Sequence, residues 1–218
     1  RTLSGVISGS GAFIKDNSST LTLTGVNTYS GATTVNAGEL VISGTNTAVN
    51  NYRSATTVAN DATLSFSSTA SINNNQSGMS IILQDGSTLQ KTSLDTFVVL
   101  GAAGGGVTVD TDASVTINDT GDAGDKDGFF MDGGLKGSGT VTINPSNAST
   151  GVNFRENNST FAGTLIVNGI ASTAVGIGSG IGVSGETTGL QNADIQLNGT
   201  MELKKGASGL SWANASDL

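Results

Sequence analysis

The feature that most constrains this chain is a degenerate internal repeat: a short apolar strand, a small turn, then a second apolar strand. Val35 is followed by Asn36 to Glu39 and then by Leu40 and Ile42; Val58 by Asp61, Leu64 and Phe66; Leu83 by Asp85, Gly86 and Leu89; Val109 by Asp112, Val115 and Ile117. The leading residues lie 23, 25 and 26 positions apart (58−35, 83−58, 109−83), and a late copy reads Ile195, Leu197, Gly199, Met201 and Leu203. Within each copy, apolar residues expected to face inward alternate with outward Ser, Thr, Asn or Lys, the period-two pattern of strands with one wet face. One such unit cannot bury its apolar face alone. Stacked as parallel strands, each unit covers the last, and a period of about 20 to 26 residues fits one coil of two or three strands and their turns. The expected fold class is all-β, a parallel β-helix or solenoid, and nine or so coils at about 4.8 Å each would make a rod roughly 45 Å long. Its core rows should hold Val35, Leu40, Val58, Leu64, Leu83, Leu89, Val109, Val115, Ile195, Leu197 and Leu203, with the turn residues between them exposed.

Composition points the same way. The 218 residues include 32 Gly, 1 Pro, no Cys and no His, with 12% charged residues, and Ser, Thr and Asn together make up roughly a third of the chain. Ser, Thr and Asn compete with the backbone for hydrogen bonds inside helices, whereas Thr and Val suit half-buried strands. The formal net charge is −8, and Lys and Arg are dispersed with no basic stripe to neutralise phosphates, so nucleic acid is not an expected partner. Without Cys there is no disulfide framework and no thiolate metal site, and stability must come from hydrogen bonds and packing. The apolar runs are short, such as Phe97 to Leu100, far below the roughly 20 residues of a membrane helix. With neither an initiator Met nor a signal segment, the sequence reads as a piece of something longer.

A second, longer-range repeat is present. Ile7-Ser8-Gly9-Ser10-Gly11 is echoed by Leu135-Lys136-Gly137-Ser138-Gly139, and Tyr29-Ser30-Gly31 with Val35-Asn36 is echoed by Phe161-Ala162-Gly163 with Val167-Asn168. The same signals in the same order suggest one continuous solenoid of two modules, residues 1–118 and 135–218, joined by an acidic, Gly-rich loop at 119–134. Asn144 to Asn153, holding Pro145, reads as another loop. The Gly-rich stretch from Ala171 to Gly189 fits either irregular strands or an excursion.

Leu21, Leu23, Gly25, Asn27-Thr28-Tyr29, Gly31, Thr33, Val35, Gly38 and Leu40 resemble the passenger-associated repeat of autotransporters, the type V secreted surface proteins, in particular adhesins of the AIDA and antigen 43-like type. The resemblance covers about thirty residues; a weaker one, with Phe161 in place of the Tyr, spans Gly137 to Gly169. It implies a right-handed, single-stranded parallel β-helix, export through an outer-membrane β-barrel belonging to the same polypeptide, and display at the bacterial cell surface or secretion. A disulfide-free coil that folds by adding one rung to the next suits such export. Tyr29 and Gly31 would mark a strand-to-turn transition, the ring covering a core layer.

Few residues suggest chemistry. Without His the usual general base is missing, and no GxSxG occurs, so a Ser-His-Asp hydrolase is excluded within this segment. Carboxylates of the kind carbohydrate-active β-helices cluster occur here only in isolation, as Asp110 with Asp112, or Arg155 beside Glu156. Asp119, Asp122, Asp125, Asp127 and Asp132 could offer oxygen ligands to Ca²⁺, but no Glu closes an EF-hand loop, so a projecting loop with weak or no binding is expected. Gly180, Gly182 and Gly185 satisfy GxGxxG without a strand-then-helix context. Asn17, Asn75, Asn118, Asn147, Asn157, Asn158, Asn198 and Asn214 stand in sequons and read as turn and ladder residues, and the single Trp212 as core or coil edge. No catalytic, cofactor-binding or metal residue is assigned, no cofactor is implied and the segment is expected not to be an enzyme. The expected function is adhesion, autoaggregation and biofilm formation, the partner being a second copy, held weakly side by side, or a host surface or matrix molecule. The alternatives are an inert spacer for a head elsewhere in the parent protein and, ranked after it, a carbohydrate-active β-helix.

Overall fold

A computed structural model of the chain describes residues 1–44, 54–67, 72–74, 80–92, 97–100, 106–120, 128–131, 133–145, 152–154, 160–168, 176–177 and 193–198. Among these, every regular element is a strand and every strand pairing is parallel. The expected solenoid is what the chain forms. Three sheets run along it. The nine-stranded sheet contains Thr2–Leu3, Thr20–Leu23, Glu39–Ile42, Thr63–Phe66, Thr88–Lys91, Ser114–Asp119, Thr140–Pro145, Thr164–Val167 and Asp194–Leu197, in chain order. The six-stranded sheet contains Phe13–Lys15, Thr33–Val35, Thr56–Val58, Ser80–Leu83, Gly106–Val109 and Leu135–Gly137. The five-stranded sheet contains Ile72–Asn74, Phe97–Leu100, Gly128–Met131, Val152–Phe154 and Gly176–Ile177.

The repeat read from the sequence is the step from the six-stranded to the nine-stranded sheet. Val35 pairs with Val58, Val58 with Leu83 and Leu83 with Val109, so the spacings of 23, 25 and 26 residues are the register itself. Across the turn Leu40 pairs with Leu64 and Leu64 with Leu89. Val35, Leu40, Val58, Leu64, Leu83, Leu89, Val109 and Val115 are all buried, as expected, in one continuous core. Each such Val or Leu contributes roughly 1.5–3 kcal/mol on burial. Ile195 is only half-buried, and it lies in the nine-stranded sheet against Leu165, with Leu197 against Val167. The late copy therefore begins on the opposite side of the turn from Val35. Leu203 lies outside the described residues.

The turn between these two sheets has a local cause. Its reversing residues are Asn17, Gly38, Asp61, Gly86 and Asp112, with φ of 67°, 67°, 60°, 70° and 61°. Left-handed backbone is open to Gly and, among the rest, best tolerated by Asn and Asp. Five successive rungs thus satisfy one requirement with three residue types, which is why the repeat reads as degenerate. Beneath the first of these turns, buried Lys15 donates from Nζ to the carbonyls of Asp16 (3.0 Å), Asn17 (2.7 Å) and Ala37 (2.8 Å).

The long-range echo is a corner, and it sits in different places. Gly9 and Gly137 both have positive φ (107° and 96°), and each accepts a backbone hydrogen bond of 2.9 Å, from Ser30 and Ala162 respectively. A methyl at Gly31 would overlap the carbonyl of Gly11, and one at Gly163 the carbonyl of Gly139. Yet the first corner leads into Phe13–Lys15 of the six-stranded sheet and the second into Thr140–Pro145 of the nine-stranded sheet. The glycines answer to a close approach of two coils, which recurs at more than one corner of each coil.

The segment 119–134, expected as a loop, needs correction at both ends. Asp119 is the last residue of Ser114–Asp119, continuing the inward alternation of Val115 and Ile117, and is buried. Gly128–Met131 is a strand pairing with Phe97–Leu100, because Phe129 and Met131 supply an inward apolar face. Asp122, Asp125, Asp127 and Asp132 lie outside the described residues, as do most of 144–153 and 171–189. Asn144 itself and Pro145 end a strand, and Val152–Phe154 is a strand of the five-stranded sheet, so the ends of that expected loop are β-structure too.

Candidate functional site

The broadest regular surface is the outward side of the nine-stranded sheet. Strand alternation that sends Leu64, Leu89, Ile117 and Ile143 inward sends their neighbours out. One outward row runs Thr20, Glu39, Thr63, Thr88, Thr116, Thr142, each paired with the next. Beside it run Thr22, Val41, Ser65, Gln90, Asn118 and Asn144 in the same register. Hydroxyls and amides therefore recur at the rung spacing, about 4.8 Å.

Two hydrogen-bond systems fix these side chains. At one end, Glu39 accepts from Thr20 Oγ1 (3.1 Å), from Ser65 Oγ and from Gln90 Nε2 (3.1 Å), while Gln90 Nε2 also donates to Ser65 Oγ (2.7 Å). This cluster staples four rungs and covers the carboxylate with donors. Further along, Asn144 Nδ2 donates to Asn118 Oδ1 (2.9 Å), Asn168 to Asn144 (2.8 Å) and Asn198 to Asn168 (3.1 Å). Each link uses one donor hydrogen of an amide that has two, so a second N–H per rung points away from the ladder. Among the described outward residues of this sheet the acidic groups are Glu39 and Asp194, and there is no Lys or Arg. In a chain of net charge −8, this face carries those two negative charges far apart, and the outward residues of the rungs between them carry none.

Lys does not behave as the alternation suggested. Lys was expected among the outward residue types, but Lys15 and Lys91 are both buried. Lys91 follows Leu89 by two positions and Asp119 follows Ile117 by two, so both are in phase with the inward rows; that phase is the sequence signal for them. Lys91 Nζ lies 3.4 Å from Asp119 Oδ1, with relative exposures of 0% and 3%. Other buried polar groups absent from the sequence reading form a chain near Tyr29. Tyr29 Oη is 2.8 Å from Thr33 Oγ1, which donates to Ser54 Oγ (2.8 Å), which reaches the carbonyl of Gly31 (2.7 Å). Burial pushes the Tyr29 phenol up from its ordinary value near 10.0, the Thr33 hydrogen bond opposing. Its ring packs 5.7 Å from that of Phe13, covering a core layer.

The residues weighed as chemical sites hold turns or ladders where they are described. Asp110 accepts from the amide of Ala113 at its carbonyl (3.2 Å), and Asp112 is the left-handed turn residue. Among the sequon residues, Asn17 is a turn and Asn118 and Asn198 belong to the amide ladder. No group of three or more potential metal-ligating side chains occurs among the described residues, and no described helix is long and apolar enough to cross a membrane. Arg155, Glu156, Gly180, Gly182, Gly185 and Trp212 lie outside the described residues.

Residues 13–42 match the family described as the passenger-associated-transport-repeat. No curated protein and no solved structure matches the chain. The matched stretch opens at Phe13–Lys15, passes through Tyr29 and the stacked Gly31, and closes at Glu39–Ile42. It contains about one and a half coils, with two paired strands of the six-stranded sheet and two of the nine-stranded sheet. The match supports reading this segment as an autotransporter passenger repeat, which implies secretion or display at the cell surface.

Proposed function

We propose that this solenoid is an adhesive part of an autotransporter passenger, displayed on the bacterial surface and acting in autoaggregation and biofilm formation through its nine-stranded face. The observation that supports the reading is the near-neutral row of outward hydroxyls and amides, Thr63, Thr88, Thr116 and Thr142 beside Gln90, Asn118 and Asn144. Two copies of net charge −8 repel, and the stretch of this face from Thr63 to Asn144, which bears no outward charge, adds nothing to that repulsion. Contacts between two such faces are individually weak, but many copies on two cells act together through effective concentration. Attachment to a host surface or matrix molecule would use the same donors and acceptors. An outer-membrane barrel in the parent polypeptide would anchor the rod.

The test is to display the parent protein on cells with Thr116→Asp and Thr142→Asp together, which leave Val115, Ile117, Val141 and Ile143 untouched. Settling should slow to the rate of non-displaying cells while surface display is unchanged. Unaltered settling would remove adhesion from this face and favour a spacer. The spacer reading has an observation of its own, since the Asn118, Asn144, Asn168 and Asn198 amides already satisfy one another along the rod.

A further inference from the structure

At the corners of this solenoid a glycine marks where the preceding coil's backbone comes close. A methyl at Gly25 would overlap the carbonyl of Gly5, one at Gly31 the carbonyl of Gly11 and one at Gly139 the carbonyl of Ala113. Gly5 and Gly11 hold the first two of these corners one coil earlier. Yet a methyl on either meets nothing within 4 Å among the described residues, and neither has the positive φ that would call for glycine. The inward row is open at the same end. Leu3 pairs with Leu23 and Leu23 with Ile42, but Leu3 is 45% exposed where Leu23 is 1% exposed. Backbone donors agree. Thr22, Thr24, Thr28 and Ser30 donate to the coil before them, at the carbonyls of Arg1, Leu3, Ile7 and Gly9. The shift of 20 residues between Thr2 and Thr22 (22−2) therefore aims the amides of Thr2, Ser4, Ser8 and Ser10 out of the end of the rod.

We propose that in the parent polypeptide this end is covered by one further coil of the same outline, formed by the roughly twenty residues immediately before Arg1. Its carbonyls sit over Gly5 and Gly11 and accept from the four outward-aimed amides, and an apolar side chain of that coil completes the row over Leu3. A terminal helix does not fit, because its carbonyls are spent within the helix and its side chains would hold the two backbones apart. A lone strand paired with Thr2–Leu3 does not fit either, since Gly5 is a bend and Gly11 lies beyond it. A second copy meeting this end head to head would set the strands antiparallel, whereas Gly5 and Gly11 repeat a register that the first coils keep parallel. Chain connectivity favours the same polypeptide. Each coil enters the nine-stranded sheet from the six-stranded one, so the chain before Thr2 comes from beside Phe13–Lys15, the outer strand of that sheet. An uncovered sheet edge templates strand addition; covering it leaves the sides of the rod as the surfaces open to partners.

Hydrogen exchange, compared between the 218-residue chain and the parent polypeptide, tests this. The amides of Thr2, Ser4, Ser8 and Ser10 should exchange about a hundredfold more slowly in the parent. Gly11→Ala should speed exchange over residues 2–10 of the parent by about a hundredfold. In the 218-residue chain, where the added methyl meets nothing within 4 Å among the described residues, the same change should leave exchange near wild type. If the Gly11→Ala parent does not fold, the comparison of the two wild-type proteins decides alone. Equal exchange at the four amides in both wild-type proteins overturns the proposal, and so does a parent in which Gly11→Ala changes nothing. Protection of these amides in the 218-residue chain that rises with its concentration also overturns it, by assigning the end to a second copy.

Discussion

The coils at residues 13–42 and those around Lys91 and Asp119 close the same kind of solenoid in two ways. In the first, pairing partners such as Leu21 and Leu40 are 19 residues apart (40−21), and no strand is formed on the third side. Its hydrogen bonds are made instead by Asn27 Oδ1, which accepts from Ile7 N (2.9 Å), and by Thr28 and Ser30, which donate to the carbonyls of Ile7 and Gly9. Gly31 over Gly11 lets those backbones touch. In the second, Leu89 and Ile117 are 28 apart (117−89), Phe97–Leu100 and Gly128–Met131 form a third sheet, and the interior holds Phe66, Phe129, Met131 and the Lys91–Asp119 pair. A tight coil excludes side chains at its corners; a wide one must fill its centre. The difference teaches that the two parallel sheets are the constant part of this architecture and the third side is the adjustable one.

The largest effect expected from this contrast is at the tight corner. Gly31→Ala should destabilise the early coils by about 3 kcal/mol, because its methyl meets backbone rather than a side chain that could turn away. Gly11→Ala, with nothing within 4 Å of the added carbon, should stay near wild type. Hydrogen exchange over residues 13–42 checks both. Equal effects at the two glycines would mean that stacking is not what closes the coil.

The wide coils should instead show the cost of imperfect filling. Ser87 is wholly buried, and its hydroxyl has no hydrogen-bond partner among the described residues. Ser87→Ala removes that orphan without adding volume and should stabilise the protein by about 1 kcal/mol. A denaturant midpoint that moves to higher concentration with unchanged slope is the expected result. A fall would show that the hydroxyl contributes to this turn.

The smallest effect is confined to the tight coils and to alkaline pH. Because burial raises the Tyr29 phenol above its ordinary value near 10.0, the stability linked to its neutral form is complete below the unfolded value and is lost as pH rises through the folded one. Between about pH 9 and 11, wild type should lose more stability than Tyr29→Phe, which has no phenol to ionise. Parallel pH curves for the two proteins would remove Tyr29 as the cause. The Phe variant also gives up the hydrogen bond to Thr33, so the comparison rests on the slope with pH rather than on the starting value.

The outward face was partly legible. Thr63, Thr88 and Thr116 could be placed outward from alternation alone, since each immediately precedes or separates inward apolar residues. The Asn118, Asn144, Asn168 and Asn198 ladder could not be assembled that way, because its members are 26, 24 and 30 positions apart (144−118, 168−144, 198−168) and only the register aligns them. Lys91 runs against the outward expectation for Lys for a related reason: polarity points to water, whereas phase with Leu89 puts it inside, where Asp119 arrives from the next rung.

The sequence by itself determined the parallel coil, its period and most of its buried rows, because alternation and left-handed turn residues are local constraints, written within a few positions of Val35, Val58, Leu83 and Val109. Only the tertiary structure decided which corner each glycine motif occupies, that a third sheet forms from Ile72 onward, and that Lys91 meets Asp119. Those outcomes depend on how many residues each coil spends on its third side, and that number sets what lies across from what. A chain segment specifies its own turn and its own inward face, but its neighbours in a solenoid come from the coils before and after it, and the register that selects them is a property of the stack.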